Sequence, residues 1–160
     1  PTSNLKLGSG IPPMAAIQAH GVNFGLGTDG AASNNRLDLF QEMRHAALLG
    51  KGQSENAEVL DAHATLHAAT LGGARALGLE DRIGSLLPGK AADLCAVRLD
   101  EWLTQPCFDP ASHLVYVAGR EQVSHTWVAG NLLMCNGDPL QINVSELLDI
   151  AGLWHNRLTS

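Results

Sequence analysis

The segment Gly25-Leu26-Gly27-Thr28-Asp29-Gly30 constrains this chain more than any other. Val22, Phe24 and Leu26 are apolar, and Gly25 and Gly27 between them allow close packing, so the spacing predicts a buried strand over 22–28. One carboxylate, Asp29, stands at its end between glycines. An α/β barrel keeps its chemistry at the C-terminal tips of its strands. An Asp there can bind a metal ion and move a proton, although a single Asp cannot hold a metal alone. Apart from any family context, an Asp at a Gly-rich turn also reads as a turn residue. In the stretch that follows, Ser33 and Asn34 order the Asp29 loop and Asn35 is the expected N-cap of the next helix.

Around this segment the pattern is mostly helical. Residues 1–10 are rich in Ser, Asn and Gly and read as loop, with Ser3 and Asn4 fixing that loop or lining a pocket mouth. Pro12-Pro13 opens a short helix that stops at His20-Gly21. Leu37, Phe40, Met43, Ala47 and Leu48 fall at helical spacing, and Gly50-Lys51-Gly52 ends that run. Asp61 can cap a helix over 62–77, closed by Gly78. Helix, strand, helix, helix is the order of a barrel's last turn.

Beyond Arg82 the period changes. Residues 83–86, 92–97, 114–118, 123–128 and 132–134 read as five short strands, with turns at Pro88-Gly89, Gly119-Arg120 and Gly130-Asn131. That spacing suits part of a β-sandwich. Ser145 is the expected cap of a final helix with Leu147, Ile150, Leu153, Trp154 and Leu158 on one face. The predicted units are therefore 1–82, 83–140 and 141–160, in the α/β class.

Composition narrows the function. The chain has 160 residues, 45% of them hydrophobic, and 10 Lys and Arg stand against 16 Asp and Glu for a net charge of −6. No basic patch is available for nucleic acid or an anionic membrane. Cys95, Cys107 and Cys135 are odd in number and lack metal-type spacing, which suits free thiols in the cytoplasm. The chain opens on Pro1-Thr2-Ser3-Asn4 rather than Met, as the C-terminal piece of a longer polypeptide does.

Four segments in order carry a resemblance. Pro1-Thr2-Ser3-Asn4-Leu5-Lys6-Leu7 resembles the loop after the seventh barrel strand of metal-dependent amidohydrolases in the nucleoside deaminase and triazine chlorohydrolase group. The stretch from Gly27-Thr28-Asp29-Gly30 to Asn35 resembles the tip of the eighth strand. Residues 69–78 resemble the helix before the β-domain, and residues 83–94 its re-entry strands. Within the group, Glu42-Met43-Arg44, residues 109–116 and residues 125–130 resemble bacterial 5-methylthioadenosine/S-adenosylhomocysteine deaminases.

The resemblance implies the C-terminal end of a (β/α)8 barrel, part of a small β-sandwich domain and a C-terminal helix. It implies hydrolytic deamination of an adenosine derivative by metal-activated water, with release of ammonia. Zinc is the expected metal, with iron and manganese as alternatives. Asp29 becomes the candidate metal ligand, catalytic proton shuttle and substrate contact. The family's His-x-His pair, two further His ligands and acid/base Glu belong to an upstream part of the protein. That upstream part, a nucleoside substrate and a second copy of the chain are the candidate partners. A chlorohydrolase or guanine deaminase on the same scaffold is the rival within the class, and a non-catalytic scaffold is the rival outside it.

The remaining chemistry-bearing residues read as structural. His63 and His67 are spaced i, i+4 but lack the intervening Glu of zinc proteases. His20, His45, His113, His125 and His155 are dispersed. Asp93 is expected to brace a strand turn, and Trp127, Tyr116 and Phe108 to fill the β-domain core. The sheet is expected to expose Val97, Val115, Val117 and Trp127.

Overall fold

The computed structural model describes residues 1–159. Its elements are α1 (Thr2–Leu7), α2 (Met14–Ala19), α3 (Leu39–Ser54), α4 (Ala62–Ala69), α5 (Leu71–Ala76), β1 (Leu94–Val97), α6 (Pro110–Tyr116), β2 (Val123–Val128), β3 (Asn131–Cys135), β4 (Asp138–Pro139) and α7 (Val144–Thr159). Three helices start on an Asp whose carboxylate takes up orphan backbone N–H groups. Asp38 accepts from Phe40 and Gln41 at 3.0 and 3.3 Å. Asp61 accepts from Ala64 at 2.7 Å, as expected. Asp109 accepts from Ala111 and Ser112, both at 3.1 Å.

Several expectations are corrected. Residues 2–7 are helical rather than loop, and Gly8 closes α1 at φ 68. Asp38, not Asn35, caps α3, which continues through Gly50-Lys51-Gly52 to Ser54. The run over 62–77 is broken at Thr70 into α4 and α5. Residues 83–86 form no strand, and 114–118 lie largely in α6, where Asp109-Pro110 supplies cap and first turn. Asn143, not Ser145, caps α7: its Oδ1 accepts from the Glu146 N–H at 3.3 Å.

The helical part packs around two small clusters. Met14, Ala46, Val59 and Leu60 form one, with Ile17 and Phe24 against it. Met43, Ala47 and Val115 form the other, with Phe40, Leu66 and Tyr116 against it. Leu26 touches both, so the segment leading to Asp29 is seated where the two meet. Val115 is fully buried there, not exposed on a sheet.

Residues 22–28 are not the expected buried strand. They run without a ladder partner among the described residues; Leu26 N–H donates to the Ala68 carbonyl at 3.1 Å, and the Asn23 side-chain amide to the Gly72 carbonyl at 3.2 Å. Val22 is exposed, while Phe24 and Leu26 alternate inward. On the other side Gly25 meets Gly73 backbone to backbone, and a Cβ on Gly72 would come 2.8 Å from the Phe24 carbonyl. This contact explains the break at Thr70: α5 must bring two glycines against the segment.

The strands form one antiparallel sheet in the order β1-β2-β3-β4. Ala129-Gly130 and Asn136-Gly137 all have positive φ, as two-residue hairpins of the I′ kind require. Asp93 accepts from the Ala129 N–H at 2.6 Å, bracing the first turn as expected. Among the described residues there is a single sheet and none of its residues is fully buried. Trp127 stacks on His125 at 5.4 Å, but Phe108 is 90% exposed and no part of a core. Every residue of α7 is open, including Leu147, Ile150, Leu153, Trp154 and Leu158. No described helix is long and apolar enough to cross a membrane.

The stretch that leads from α6 into β2 is clasped to the helical part by arginines. Arg36 meets Glu121 at 2.8 Å, Arg120 donates to the Arg36 carbonyl at 2.9 Å, and Arg44 donates to the Ala118 carbonyl at 2.8 Å.

Candidate metal centre at Asp29

Asp29 ends the extended segment in a left-handed conformation, φ 63, which few residues other than Gly, Asn and Asp adopt. Its carboxylate is held rather than free. The Ser33 hydroxyl donates to Oδ2 at 2.8 Å, and the Ser3 hydroxyl lies 2.9 Å from that of Ser33. Ser3, the buried residue of α1, also reaches the Thr28 carbonyl at 3.4 Å. Bonds from Ser33, the Gly30 backbone and Ser3, in that order, keep the Asp29 carboxyl below the ordinary carboxylate range, against a small opposing effect of desolvation. Asp29 is therefore a ready anion, exposed at the end of the segment.

A second layer fixes the loop. Asn34 is buried; its Nδ2 donates to Glu42 Oε1 at 2.7 Å and its Oδ1 accepts from Leu37 N–H at 3.2 Å. Lys6 donates to Asn35 Oδ1 at 2.7 Å and to the Ala32 carbonyl at 3.1 Å. Ser33 and Asn34 thus order the Asp29 loop as expected, and Asn35 turns back on the Ala31 carbonyl instead of capping a helix.

Beside the segment lies an open cleft of about 310 Å³, lined by Asn4, Met14, Phe24, Gly25 and Gly27 among others. Asp29 is not in its wall. Of the pair expected at a pocket mouth, Asn4 lines the cleft and Ser3 serves the Asp29 loop.

Sequence reasoning missed Glu42. It is 1% exposed and sits on α3 one turn before Ala46 and two before Gly50, all on the buried face. A Glu heading a stripe of small inward residues is the signal that could have found it. His63 and His67 are exposed on α4. No three His, Cys, Asp or Glu gather to hold a metal among the described residues, so Asp29 can supply one oxygen ligand and no more of a shell.

The sequence matches the amidohydrolase family over residues 1–133. It is 47% identical over 158 residues to the 5-methylthioadenosine/S-adenosylhomocysteine deaminase of Teredinibacter turnerae, a match covering 99% of this chain and 36% of that protein. The crystal structure of an adenosine deaminase from Xanthomonas campestris with bound zinc superposes with TM-score 0.96 at 48% identity, covering 99% of this chain and 36% of that one. Atrazine chlorohydrolase from Arthrobacter aurescens, complexed with zinc, gives TM-score 0.84 at 29% identity over 95% of this chain and 34% of its own. The chain spans about a third of the length of the curated relatives it matches.

Proposed function

We infer the function from one premise: this chain belongs to the amidohydrolase family. The complete protein is a metal-dependent hydrolase that deaminates an adenosine derivative, 5-methylthioadenosine, S-adenosylhomocysteine or both, and releases ammonia. Residues 1–82, with α6 packed against them, supply the end of a (β/α)8 barrel, the strands within 83–140 part of a composite β-domain and α7 a terminal helix. The observation that carries this is the match, at 47% identity across nearly the whole chain, to a deaminase of that specificity. The chlorohydrolase likeness is at 29% identity. The free cysteines suit a cytoplasmic enzyme.

Asp29 fits a divalent ion such as zinc as one anionic oxygen ligand, because its bonds favour the ionised form. A bound ion of this kind supplies a Lewis acid that lowers the pKa of water from 15.7 to about 7. The chain's own part is to keep one carboxylate ionised and aimed. Ser33 holds Oδ2, which fixes the plane of the carboxylate. The Asp29 carboxylate then accepts a proton from the attacking water and gives it to the departing amine, as a general base and acid. Ser3 holds Ser33 in place.

Ammonia release and an inosine-type product from 5-methylthioadenosine and S-adenosylhomocysteine, set beside guanine and a chlorinated triazine, test this assignment. Turnover of the nucleosides is expected. Chloride release from the triazine, or xanthine from guanine, with no nucleoside turnover overturns it.

A further inference from the structure

Glu42 has no part in the chemistry above, yet it is a buried carboxylate between the two chain segments that serve Asp29. Its Oε2 accepts the Thr2 N–H at 2.9 Å, and its Oε1 accepts the Asn34 side-chain amide at 2.7 Å. Thr2 opens α1 and precedes Ser3; Asn34 follows Ser33. Ser3 and Ser33 are the hydroxyls that bond each other and then Asp29. One carboxylate therefore joins both arms of the relay from behind. The Pro1 nitrogen lies 2.7 Å from Oε2, and the Thr2 hydroxyl is bonded to His45 Nδ1 at 3.0 Å. The Thr2 N–H and the Asn34 amide are the same groups whether or not Pro1 carries a free amine.

We propose that Glu42 is a positioning residue for Asp29: by accepting from Thr2 and Asn34 together it sets the spacing between Ser3 and Ser33, and so the direction of the Asp29 carboxylate. This rests on Asp29 acting in the reaction. A lone surface Glu would not do this, and a buried one is otherwise costly, since burying a carboxylate without full hydrogen bonding is strongly unfavourable. Both of its oxygens face donors, so only a double acceptor satisfies the site. In Glu42→Gln one amide N–H₂ must point at a donor. Rotating Asn34 to relieve this would abandon the Leu37 N–H that its Oδ1 now accepts.

Polarity can be exchanged between the two positions. With Asn34→Asp and Glu42→Gln together, the Gln oxygen accepts Thr2, the Gln amide donates to the Asp, and the second Asp oxygen accepts Leu37. Asn34→Asp alone would set two carboxylates at 2.7 Å. The experiment compares these three variants and Asp29→Asn in the complete zinc-loaded protein, reading melting temperature, zinc content, kcat and KM. The expected result for Glu42→Gln is a folded protein with kcat lower by roughly 10-fold or more and KM little changed, because a displacement of about 1 Å in a reacting group costs up to about 10²-fold. The double variant recovers most of that kcat. A lowered melting temperature with unchanged kcat in Glu42→Gln, while Asp29→Asn is inactive, overturns the proposal and makes Glu42 a stability residue only. Full activity in Asp29→Asn overturns the role of Asp29, and the proposal with it. Should Glu42→Gln not fold, Asn34→Asp breaks the Glu42 contact while an Asp oxygen still accepts the Leu37 N–H; the same fall in kcat supports the proposal and an unchanged kcat overturns it.

Discussion

Gly25→Ala is the substitution to which the segment bearing Asp29 is most sensitive. A Cβ at position 25 would lie 2.6 Å from Gly73 Cα, 3.3 Å from Gly73 N and 3.6 Å from the Ala68 carbonyl oxygen. Carbon atoms prefer about 3.5–4.0 Å, so the segment and α5 must part by about 1 Å. Neither side gives easily, because both contacts are backbone and Leu26 is tied to Ala68 one residue further on. Overpacking of this kind costs about 1–3 kcal/mol. The displaced segment carries Asp29 at its end, where an error of about 1 Å can cost about 10²-fold in rate. The reciprocal change, Gly73→Ala, is not equivalent. Its Cβ meets the Ala68 oxygen at 3.5 Å and Gly25 Cα at 4.0 Å, both ordinary contacts. Alanine there also gains about 0.5–1 kcal/mol of helix preference over glycine. In the complete protein Gly25→Ala is expected to lower both the melting temperature and kcat, with Gly73→Ala near the parent in both. If the two substitutions behave alike, backbone contact between the segment and α5 does not seat Asp29, and the reasoning fails.

Three further outcomes are expected. Asp29→Asn keeps one metal-capable oxygen and should retain part of the zinc while kcat falls by roughly 10²-fold or more; Asp29→Ala should lose zinc as well, and two active, metal-loaded variants would reduce Asp29 to a turn residue. Residues 1–160 expressed alone should bind zinc no better than a surface-His control and should bind a dye for apolar surface through Leu147, Leu153, Trp154 and Leu158, all of them exposed; tight stoichiometric zinc would contradict this. Asp109→Ala removes two cap bonds from α6 and should cost about 0.5–2 kcal/mol in denaturant unfolding, while Ser145→Ala should cost little, because Asn143 and not Ser145 accepts the cap bond of α7.

Local chemistry was legible where one residue settles it. Asp61 as a cap, His20-Gly21 as a stop, the strands around 94–97 and 123–128, and Ser33 with Asn34 as loop anchors all follow from side-chain type and spacing. Expectations failed where tertiary context decided. Leu114, Val115, Tyr116 and Val117 have strand-like composition, but Asp109-Pro110 starts a helix and Val115 pays into the core beside Met43. Asp38 outcompeted Asn35 because Asn34 and Asn35 were already engaged, with Glu42 and with Lys6 and the Ala31 carbonyl. The stripe of Glu42, Ala46 and Gly50 marks an inward carboxylate, but what that carboxylate binds was not legible, because its partners Thr2 and Asn34 are 40 and 8 positions away.

The arginine clasp bears on how such proteins can be recombined. Arg36 follows the Asp29 loop, and its partners Glu121 and Arg120 lie in the turn that enters β2. Exposed pairs like Arg36 and Glu121 add little stability, but the bonds to the Arg36 and Ala118 carbonyls are specific in direction. A chimera that takes residues beyond about position 90 from a relative would inherit one half of this clasp and keep the other. Its fate turns on whether the graft packs at 115 as Val115 does beside Met43 and keeps the carbonyl at 118 facing Arg44. Domain exchange across this junction is thus a matching problem set by a few side chains on either side of it.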